Sequence, residues 1–505
     1  MKEKRKALTI LSMNTLAFTI CFACWMMNGV LITFLVERKV FAWDKAEMGT
    51  LIGIPVLTGA VMRLPVGVLC DKYGGRIVFF LLMLLAAIPM YLVSHADSYM
   101  EFLLAGLGFG LTGASFAAGI AYTSVWFEKK WQGTALGVFG AGNAGAALTS
   151  LGAPWVLRWL TDGGTQLEGW RTLPKIYAGV LVVTAVVFWL TTHPKKVDLG
   201  NRKSILARLE PLKHIRVWRF GLYYFFVFGG FVALAQWLIP YYVNAYTMSV
   251  AMAGFMAAIF SFPSGVIRAL GGWMSDKWGA RTVMYWVLGI SLLACLLLVV
   301  PRMIIQSPGE GIMATSGGTV ESVTPDEVVV SGTTYSLKHR AEDEIVGFEE
   351  EATFVLPKST SWQEPVVRVG DEVVKKELVA RGVTQIYFQA NVWVFTFLAF
   401  VVGIAMGIGK AAVYKHIPDY FPKDVGVVGG IVGVLGGLGG FICPIIFGYL
   451  LRATGLWTTC WMFFVVLVAV CLMWMHAAVR KMMRKRAPEL ARQIEDLDEP
   501  ALGSA

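Results

Sequence analysis

Charged residues are scarce in this chain of 505 residues, in which Asp, Glu, Lys and Arg together make up 15% of the sequence. Soluble domains carry about 25% charged residues, so the composition argues against a water-soluble protein. Hydrophobic residues reach 56%, and the mean hydropathy is +0.62. A helix needs about 20 apolar residues to cross a bilayer, which leaves room for roughly a dozen spans. The composition therefore predicts a polytopic membrane protein.

Acidic residues are missing from the middle of the apolar runs. The charged residues that do lie there, away from the helix ends, are the cations Arg63, Arg268 and Lys410. Charged groups inside membrane helices are costly and usually face a cavity on the substrate path. Three cations without an internal counter-ion predict an anion site, and they argue against the carboxylate sites of cation carriers. The alternative is that each arginine only caps backbone carbonyls.

Residues for catalysis or metal binding are not grouped in the sequence. All seven cysteines lie in or at the ends of apolar runs, which argues against a disulfide framework. The six histidines are scattered among loops and helix ends. Because the sequence has no nucleophile–base set, metal-ligand cluster or phosphate-binding loop, it predicts neither an enzyme nor a bound cofactor or metal.

The net charge of +10 does not require nucleic acid as a partner. The bases cluster in short loops on alternate sides of the apolar runs, as the positive-inside rule expects of a protein embedded in a lipid bilayer. Basic residues at the N-terminus, in the stretch 193–216 and at 480–486 predict that both termini and the central loop are cytoplasmic. We therefore expect a multi-pass protein of the inner membrane.

The apolar runs predict an all-α bundle of twelve membrane-spanning helices. We place them near 8–36, 46–70, 77–95, 99–127, 133–158, 172–192, 217–243, 250–275, 282–301, 391–415, 426–452 and 457–479. The expected domains are an N-terminal six-helix bundle (1–192), a cytoplasmic central loop (193–216), helices 7–9 of a C-terminal bundle (217–301), a β-rich periplasmic insert (302–390), helices 10–12 (391–486) and a disordered cytoplasmic tail (487–505).

One pattern occurs twice at an offset of 205 residues. The copies are Arg63-x-x-x-Gly67-x-x-x-Asp71-Lys72-x-Gly74-x-Arg76 and Arg268-x-x-x-Gly272-x-x-x-Asp276-Lys277-x-Gly279-x-Arg281. Each copy ends a predicted span, so the repeat predicts two six-helix halves of the kind that builds secondary transporters. We interpret the charged residues of the turn as a helix-end network that stabilises one conformer, and not as substrate contacts: Asp71, Arg76, Asp276 and Arg281.

Glycines form one stripe in each half. The principal positions are Gly137, Gly140, Gly142 and Gly145 in the fifth predicted span, and Gly433, Gly436, Gly437 and Gly440 in the eleventh. Small residues let membrane helices approach closely, and dense glycine weakens a helix. Close packing alone would account for part of this pattern. The pairing of the stripes favours surfaces that slide during alternating access.

The repeated turn and the glycine stripes resemble motifs of a known family. The repeated turn resembles the loop motif of the major facilitator superfamily, and the two glycine stripes resemble the two nitrate signature motifs of its nitrate/nitrite porter family. The resemblance covers essentially all twelve predicted spans. It implies the major facilitator fold, alternating access and the transport of nitrate, with nitrite as an alternative substrate.

The resemblance also implies roles for particular residues. In this family a pair of arginines, aromatic rings and one polar side chain hold the anion, and the matching positions here are Arg63, Arg268, Phe116, Asn143, Tyr224 and Phe228. For each aromatic residue, ordinary packing is the alternative. Nitrate is planar and carries a single charge, so two guanidinium forks and flanking rings could replace its water shell.

Lys410 departs from the pattern, since many family members carry asparagine there. A lysine resembles the branch that couples nitrate to protons, and a physical hypothesis follows. Burial and two nearby arginines disfavour the charged form of Lys410 until nitrate cancels one positive charge, so that a proton and the anion bind together. The alternative is that Lys410 extends to the membrane surface and stays protonated throughout.

The segment 302–390 breaks the helical pattern. It holds 14 acidic and 8 basic residues, and its alternating runs with turns at 331–332 and 370–371 predict short β-strands. The stretch 366–380 resembles the barrel-sandwich module of lipoyl and biotinyl domains, but the modified-lysine motif is not evident. Counting the spans places this insert in the periplasm, where we expect an accessory domain that binds an unknown protein partner.

Taken together, the sequence predicts a nitrate/proton symporter that takes up nitrate. Within the same class, a nitrate/nitrite antiporter is the alternative, and Lys410 is the residue that distinguishes the two. From a different class, a nitrate sensor that signals through its insert would bind the anion without carrying it across the membrane.

Overall fold

A computed structural model of the protein describes residues 2–195, 210–300, 303–338, 354–421 and 425–486. The chain divides into two compact units, one formed by Met1–Val299 with Thr396–Ala505 and the other by Val300–Phe395. The first unit is helical, and the second is built mainly from β-strands. The predicted tail at 487–505 and most of the predicted central loop lie outside the described residues.

The described residues form eighteen α-helices. They are α1 (Lys2–Trp25), α2 (Met27–Glu37), α3 (Lys45–Val61), α4 (Arg63–Tyr73), α5 (Gly75–Leu92), α6 (Tyr99–Phe109), α7 (Ser115–Ser124), α8 (Lys129–Gly140), α9 (Gly145–Leu160), α10 (Thr172–Thr191), α11 (Ile215–Tyr224), α12 (Phe231–Ala245), α13 (Val250–Val266), α14 (Arg268–Trp278), α15 (Ala280–Leu298), α16 (Val392–Tyr420), α17 (Val425–Thr454) and α18 (Thr459–Arg486). A π-helical turn, Phe225–Gly230, joins α11 to α12.

Several of these helices join end to end into longer segments. In the described part of the chain, ten segments are long and apolar enough to cross a bilayer, or eleven if α13 and α14, bent by 46°, count as one. The predicted fifth span, 133–158, is divided into α8 and α9 by the 3-10 turn Ala141–Ala144. Neither piece alone has the length of a spanning helix. The structure confirms the predicted class, an all-α membrane bundle with a small β-rich insert.

The repeat of 205 residues is preserved in the backbone. A break at Met62 separates α3 from α4, and a break at Ile267 separates α13 from α14. The two residues have nearly the same conformation, with φ/ψ angles of −68°/−9° and −67°/−4°. Each break places an arginine, Arg63 or Arg268, at the first position of a short helix. Equivalent sequences therefore build equivalent local structures in the two halves.

A glycine ends each of these short helices. Gly74 follows α4 with φ of +88°, and Gly279 follows α14 with φ of +81°. Residues with a side chain rarely adopt this conformation, which explains why the turn uses glycine in both copies. We call the end of the bundle that carries these two turns the motif end. The opposite end, which carries residues 38–44, is called the far end.

The two halves, residues 2–192 and the helices from residue 215 onward, pack closely near the far end. Gly49 of α3 lies against the backbone of Pro444 in α17, and Gly254 of α13 lies against the backbone of Ser150 in α9. A Cβ atom at either glycine would overlap the facing carbonyl oxygen. Glycine therefore allows the two halves to touch through their backbones.

Polar side chains add to this far-end contact. Asp44 and Arg452 form an ion pair of 3.0 Å across the two halves. Lys45 donates a hydrogen bond of 3.2 Å to Oδ1 of Asn244, and its ammonium group lies 5.3 Å from the ring centroid of Trp457. In this structure the halves are therefore joined at the far end by both backbone packing and charge.

The β unit consists of two small sheets. Its strands are β1 (Met303–Met313), β2 (Gly318–Val323), β3 (Glu327–Val330), β4 (Thr333–Ser336), β5 (Phe354–Pro365), β6 (Glu372–Val373) and β7 (Leu378–Ala390). The sheet orders are β1-β7-β5 and β4-β3-β2-β6. β1 and β7 pair in antiparallel fashion from Met303 opposite Phe388 to Met313 opposite Leu378. The two chain ends of this unit therefore lie side by side.

Candidate functional site

Arg63 begins α4 and has only 5% of its surface exposed. Its Nη1 donates a hydrogen bond of 2.8 Å to the carbonyl oxygen of Gly433, which belongs to the other half. The guanidinium carbon lies 5.8, 5.4 and 4.8 Å from the ring centroids of Trp25, Phe116 and Phe228. Its Nε finds no hydrogen-bond partner among the described residues. The side chain is thus held by rings and one carbonyl, with a donor left for another acceptor.

Arg268 occupies the equivalent position in the second half. Its guanidinium carbon lies 5.5 Å from the ring centroid of Phe116 and 5.5 Å from that of Tyr414. A Cβ atom at Gly140 would lie 3.4 Å from its Cδ, so α8 passes directly beside it. Nη1 is buried without a hydrogen-bond partner in the described chain. One phenylalanine ring therefore contacts both guanidinium groups, and each group retains one unused donor.

Three aromatic residues of the C-terminal half form one wall of this site. The rings of Tyr224 and Phe228 are stacked, with centroids 5.1 Å apart and planes 7° apart. Tyr414 meets Tyr224 edge-on at 5.0 Å and donates a hydrogen bond of 3.0 Å to the carbonyl oxygen of Gly429. The hydroxyl group of Tyr224 is buried without a partner among the described residues. Phe228 lies within the π-helical turn Phe225–Gly230, which follows Tyr224.

Asn143 lies in the turn that interrupts the fifth predicted span. It is fully buried, and neither its Oδ1 nor its Nδ2 has a hydrogen-bond partner in the part of the chain that the structure describes. An unsatisfied buried polar group costs about 1–3 kcal/mol. The turn packs against Gly265 of α13, three residues before Arg268. A costly unsatisfied amide at this place indicates a polar ligand or water as its partner.

Lys410 lies in the middle of α16 and is fully buried. Its Nζ is 3.4 Å from both the carbonyl oxygen and Oγ of Ser264, which precedes Arg268 by one helical turn. The same Nζ lies 3.1 Å from the ring centroid of Phe231. The described residues provide no ion pair for this lysine. Its surroundings are therefore one aromatic ring and two neutral oxygens at long hydrogen-bond distance.

The first glycine stripe lies along the N-terminal half. Gly142 packs against the ring of Phe18, and Gly145 packs against the backbone of Thr19, so a side chain at either glycine would meet α1. At Gly137, in contrast, a Cβ atom would have no neighbouring atom within 4 Å. The close approach of α1 thus explains two of these glycines but not Gly137.

The second glycine stripe lies along α17, and its members contact helices of both the C-terminal and the N-terminal half. Gly436 packs against Tyr224, while a Cβ atom at Gly437 would lie 2.8 Å from that of Ala60 in α3. Gly440 packs against α12, where a Cβ atom would lie 2.6 Å from a valine methyl carbon. Missing side chains thus let α17 approach the aromatic wall and the opposite half at the same time.

The repeated turn makes its described contacts outside the arginine site. Arg76 stacks on the ring of Trp189, with its guanidinium carbon 4.0 Å from the centroid, and donates to the Trp189 carbonyl oxygen. Asp71 lies in the last turn of α4 and is half-buried. The Arg76 contact stays within the N-terminal half.

In the second copy, Asp276 forms an ion pair with Lys415. Arg281 donates a hydrogen bond of 3.3 Å to the hydroxyl oxygen of Tyr420 and lies 3.9 Å from the sulfur of Met482. These contacts stay within the C-terminal half. The partners of Arg76, Asp276 and Arg281 named here thus belong to helix ends and not to the site of Arg63 and Arg268.

Sequence reasoning missed four residues that the structure brings to this site. Tyr414 follows Lys410 by four positions, so the helical period could have placed it on the same face. Ser264 precedes Arg268 by four positions, so the helical period could have placed these two residues on the same face as well. Trp25 and Phe231 contact the cations only because helices pack across long stretches of sequence, and no local pattern marks them.

Two helical repeats with cations buried between them define the architecture of a secondary transporter. Residues 15–325 and 378–499 match the family model of the Major Facilitator Superfamily. A relative from Thermus thermophilus, described as a probable nitrate/nitrite antiporter, NarK1, is 39% identical over 498 residues, which cover 98% of this chain and 96% of the relative. The chain therefore belongs to the nitrate/nitrite porter family of the Major Facilitator Superfamily.

Other known proteins are similar to this chain as well. A nitrite extrusion protein from Bacillus subtilis is 26% identical, with 88% of each chain covered. Among solved structures, a bacterial homologue of the lysosomal transporter Spinster aligns with a TM-score of 0.61 at 16% identity, covering 95% of this chain and 98% of its own. The nucleoside transporter NupG aligns with a TM-score of 0.58 at 13% identity, covering 93% and 99%. These two structures share the fold.

Proposed function

We propose that this protein carries nitrate across the membrane by alternating access, in symport with protons. The observation that carries the proposal is the arginine pair: Arg63 from one half and Arg268 from the other both lie within 5.5 Å of the ring of Phe116. Each half contributes one cation, so a bound anion would bridge the two halves.

The chemistry of the surroundings supports a small, planar, singly charged anion. Unused donors on Arg63 and Arg268 and the unsatisfied amide of Asn143 supply directed hydrogen bonds. The guanidinium group is planar and matches a planar oxyanion with two parallel hydrogen bonds. For either arginine, no ion pair with a carboxylate occurs among the described residues. A dianion such as phosphate would usually need protonatable acids nearby, so nitrate fits better.

Lys410 is the proposed coupling residue. It is fully buried beside a ring and the oxygens of Ser264, and the described residues offer it no counter-ion. Burial disfavours the charged form, and the positive charge of Arg268, one turn beyond Ser264, disfavours it further. Nitrate bound to the arginines would offset that repulsion, so the lysine would accept a proton when the anion binds and release it when the anion leaves.

The test uses purified protein in proteoliposomes and measures nitrate uptake. One set of vesicles carries an inward proton gradient, and a matched set is preloaded with nitrite without a gradient. Acceleration by the gradient would support symport. Lys410→Asn should then keep nitrate binding and lose the acceleration. Lys175→Asn, which removes a charge from an exposed position of α10, should keep it.

Nitrate/nitrite exchange is the second candidate. It is favoured by the description of the relative from Thermus thermophilus as a probable antiporter. Acceleration by internal nitrite alone, with no response to the proton gradient, would replace symport by exchange and leave Lys410 with a structural role. Nitrate binding without flux in either set of vesicles would contradict transport and favour a sensor.

A further inference from the structure

A second polar layer lies between the arginine pair and the far end. Asn28 of α2 and Gln236 of α12 are 1% and 0% exposed. The two helices cross at this level, since a Cβ atom at Gly29 would lie 2.9 Å from both Cα and Cβ of Gln236. Asn28 and Gly29 belong to one half and Gln236 to the other. Gln236 therefore lies at the boundary that must separate when the far end opens, and Asn28 is the neighbour in sequence of the glycine that meets it.

The amides of this layer are incompletely satisfied. Neither Oε1 nor Nε2 of Gln236 has a hydrogen-bond partner among the described residues, and Oδ1 of Asn28 has none either. Nδ2 of Asn28 donates a hydrogen bond of 2.7 Å to the carbonyl oxygen of Leu51, which leaves its second proton. Buried polar groups are normally paired. Three unpaired amide atoms at one crossing therefore need an explanation beyond packing.

The position of the polar layer relative to the arginines explains why these amide atoms are unpaired. Phe228 contacts Arg63, and Gln236 follows Phe228 by eight residues, or about 12 Å along a helix. Trp25 also contacts Arg63, and Asn28 follows Trp25 by about one helical turn. Both chain segments run from there towards the far end. An anion that moves between the far end and the arginines would pass this crossing.

We propose that the amides of Gln236 and Asn28 form a second, transient anion station on the path between the far end and the arginine pair. The proposal rests on the proposed transport of nitrate. When the halves separate at the far end, Nε2 of Gln236 and the free proton of Nδ2 of Asn28 become donors to the passing anion, while water hydrates the amide oxygens. Neutral amides hold a singly charged anion weakly, which suits a site that must release it towards the arginines.

The experiment compares the full-length protein with Gln236→Met and Gln236→Glu. Methionine keeps the length of the side chain and removes the donor, and glutamate replaces the donor by an acceptor that repels anions. Initial rates of uptake at varied nitrate concentration outside the far end give KM and kcat, and nitrate titration of the purified protein gives its equilibrium affinity. Ser291→Ala removes another fully buried, unpaired oxygen on α15 and serves as the control.

The station predicts that Gln236→Met raises KM by about tenfold to a hundredfold, the value of one hydrogen bond to a charged group, with kcat and equilibrium affinity unchanged. Gln236→Glu should raise KM further, and Ser291→Ala should leave it unchanged. An unchanged KM with a lower kcat would mean that the amide only closes the far end, and would overturn the station. Loss of equilibrium affinity would overturn it too, because Gln236 would then act on the arginine site. If the unaltered protein takes up no nitrate, the proposed function itself fails.

Discussion

Arg63 donates its hydrogen bond to the carbonyl oxygen of Gly433 at 2.8 Å, across the boundary between the two halves of the bundle. The acceptor is a backbone atom in the middle of a glycine stripe, where the missing side chains leave it accessible. The same arginine lies over Phe228, also in the opposite half. The hydrogen bond and the shortest ring contact of this cation are therefore both made with the opposite half.

Replacing either arginine by lysine should weaken nitrate binding although the positive charge is retained. Lysine cannot present two parallel donors to a planar oxyanion. A hydrogen bond to a charged group contributes about 1.5–3 kcal/mol, so Arg63→Lys or Arg268→Lys should lower nitrate affinity by about tenfold to a hundredfold. Calorimetric titration with nitrate measures this.

Arg171→Lys is the control for that prediction. Arg171 forms ion pairs with Asp97 and Glu168, and neither partner belongs to the arginine site. Nitrate affinity should not change in this variant. An equal loss of affinity in all three variants would show that the effect is general instability and not recognition of the anion.

Gly433→Ala should disturb the site although it adds a single methyl group. The new Cβ would lie 3.0 Å from the hydroxyl oxygen of Tyr414 and 3.8 Å from Nη1 of Arg63. Tyr414 would have to move, so we expect weaker nitrate binding. Gly137→Ala adds the same group to the other stripe, where nothing lies within 4 Å. Its binding isotherm should match that of the unaltered protein, and a similar loss in both variants would contradict the packing argument.

Asp44→Asn should favour opening of the far end by removing the ion pair with Arg452. Both side chains are partly exposed, and such pairs contribute about 0–1 kcal/mol. The equilibrium constant for opening of the far end should therefore rise at most about fivefold. Cys443 is fully buried beside Pro444, where the two halves touch. Its rate of alkylation by a membrane-impermeant reagent should therefore rise in the variant. An unchanged rate would mean that backbone packing alone closes this end.

Deleting residues 302–390 tests whether the β unit is needed for transport. Met303 and Phe388 are opposite each other in β1 and β7, about 5 Å apart, so a short Gly-Ser linker should be able to replace the segment between them. Because Arg63, Arg268 and Lys410 all belong to the helical unit, nitrate uptake by the deleted protein should persist. Loss of flux with nitrate binding retained would instead link the insert to the transport cycle or to signalling.

The general architecture could be read from the sequence because it depends on local patterns. Apolar runs, the position of the bases and the 205-residue repeat are properties of short stretches, and the comparisons confirm the family and fold that they predict. The break inside the fifth span at Ala141–Ala144 could not be read in this way. Glycine and alanine are compatible with an apolar helix as well as with a 3-10 turn, and packing against α1 and α13 decides between them.

The site could be predicted only in part, for a related reason. Arg63, Arg268 and Lys410 stand out in any reading because charge inside an apolar run is rare. Their neighbours do not stand out: Trp25 is one of 18 tryptophans, and Gly433 is one of 54 glycines. Which of these faces a cation depends on how the two halves meet. The roles of all these residues in transport remain predictions.

The crossed contacts of the two arginines have a consequence for how the molecule can move. Arg63 rests on Phe228 and Gly433 of the second half, while Arg268 rests on Phe116 and passes beside Gly140 of the first. Each arginine thus contacts the half to which it does not belong. A rigid rotation that parts the halves would break these cross-half contacts of both cations together, and would leave Arg63 beside Trp25 and Phe116 and Arg268 beside Tyr414.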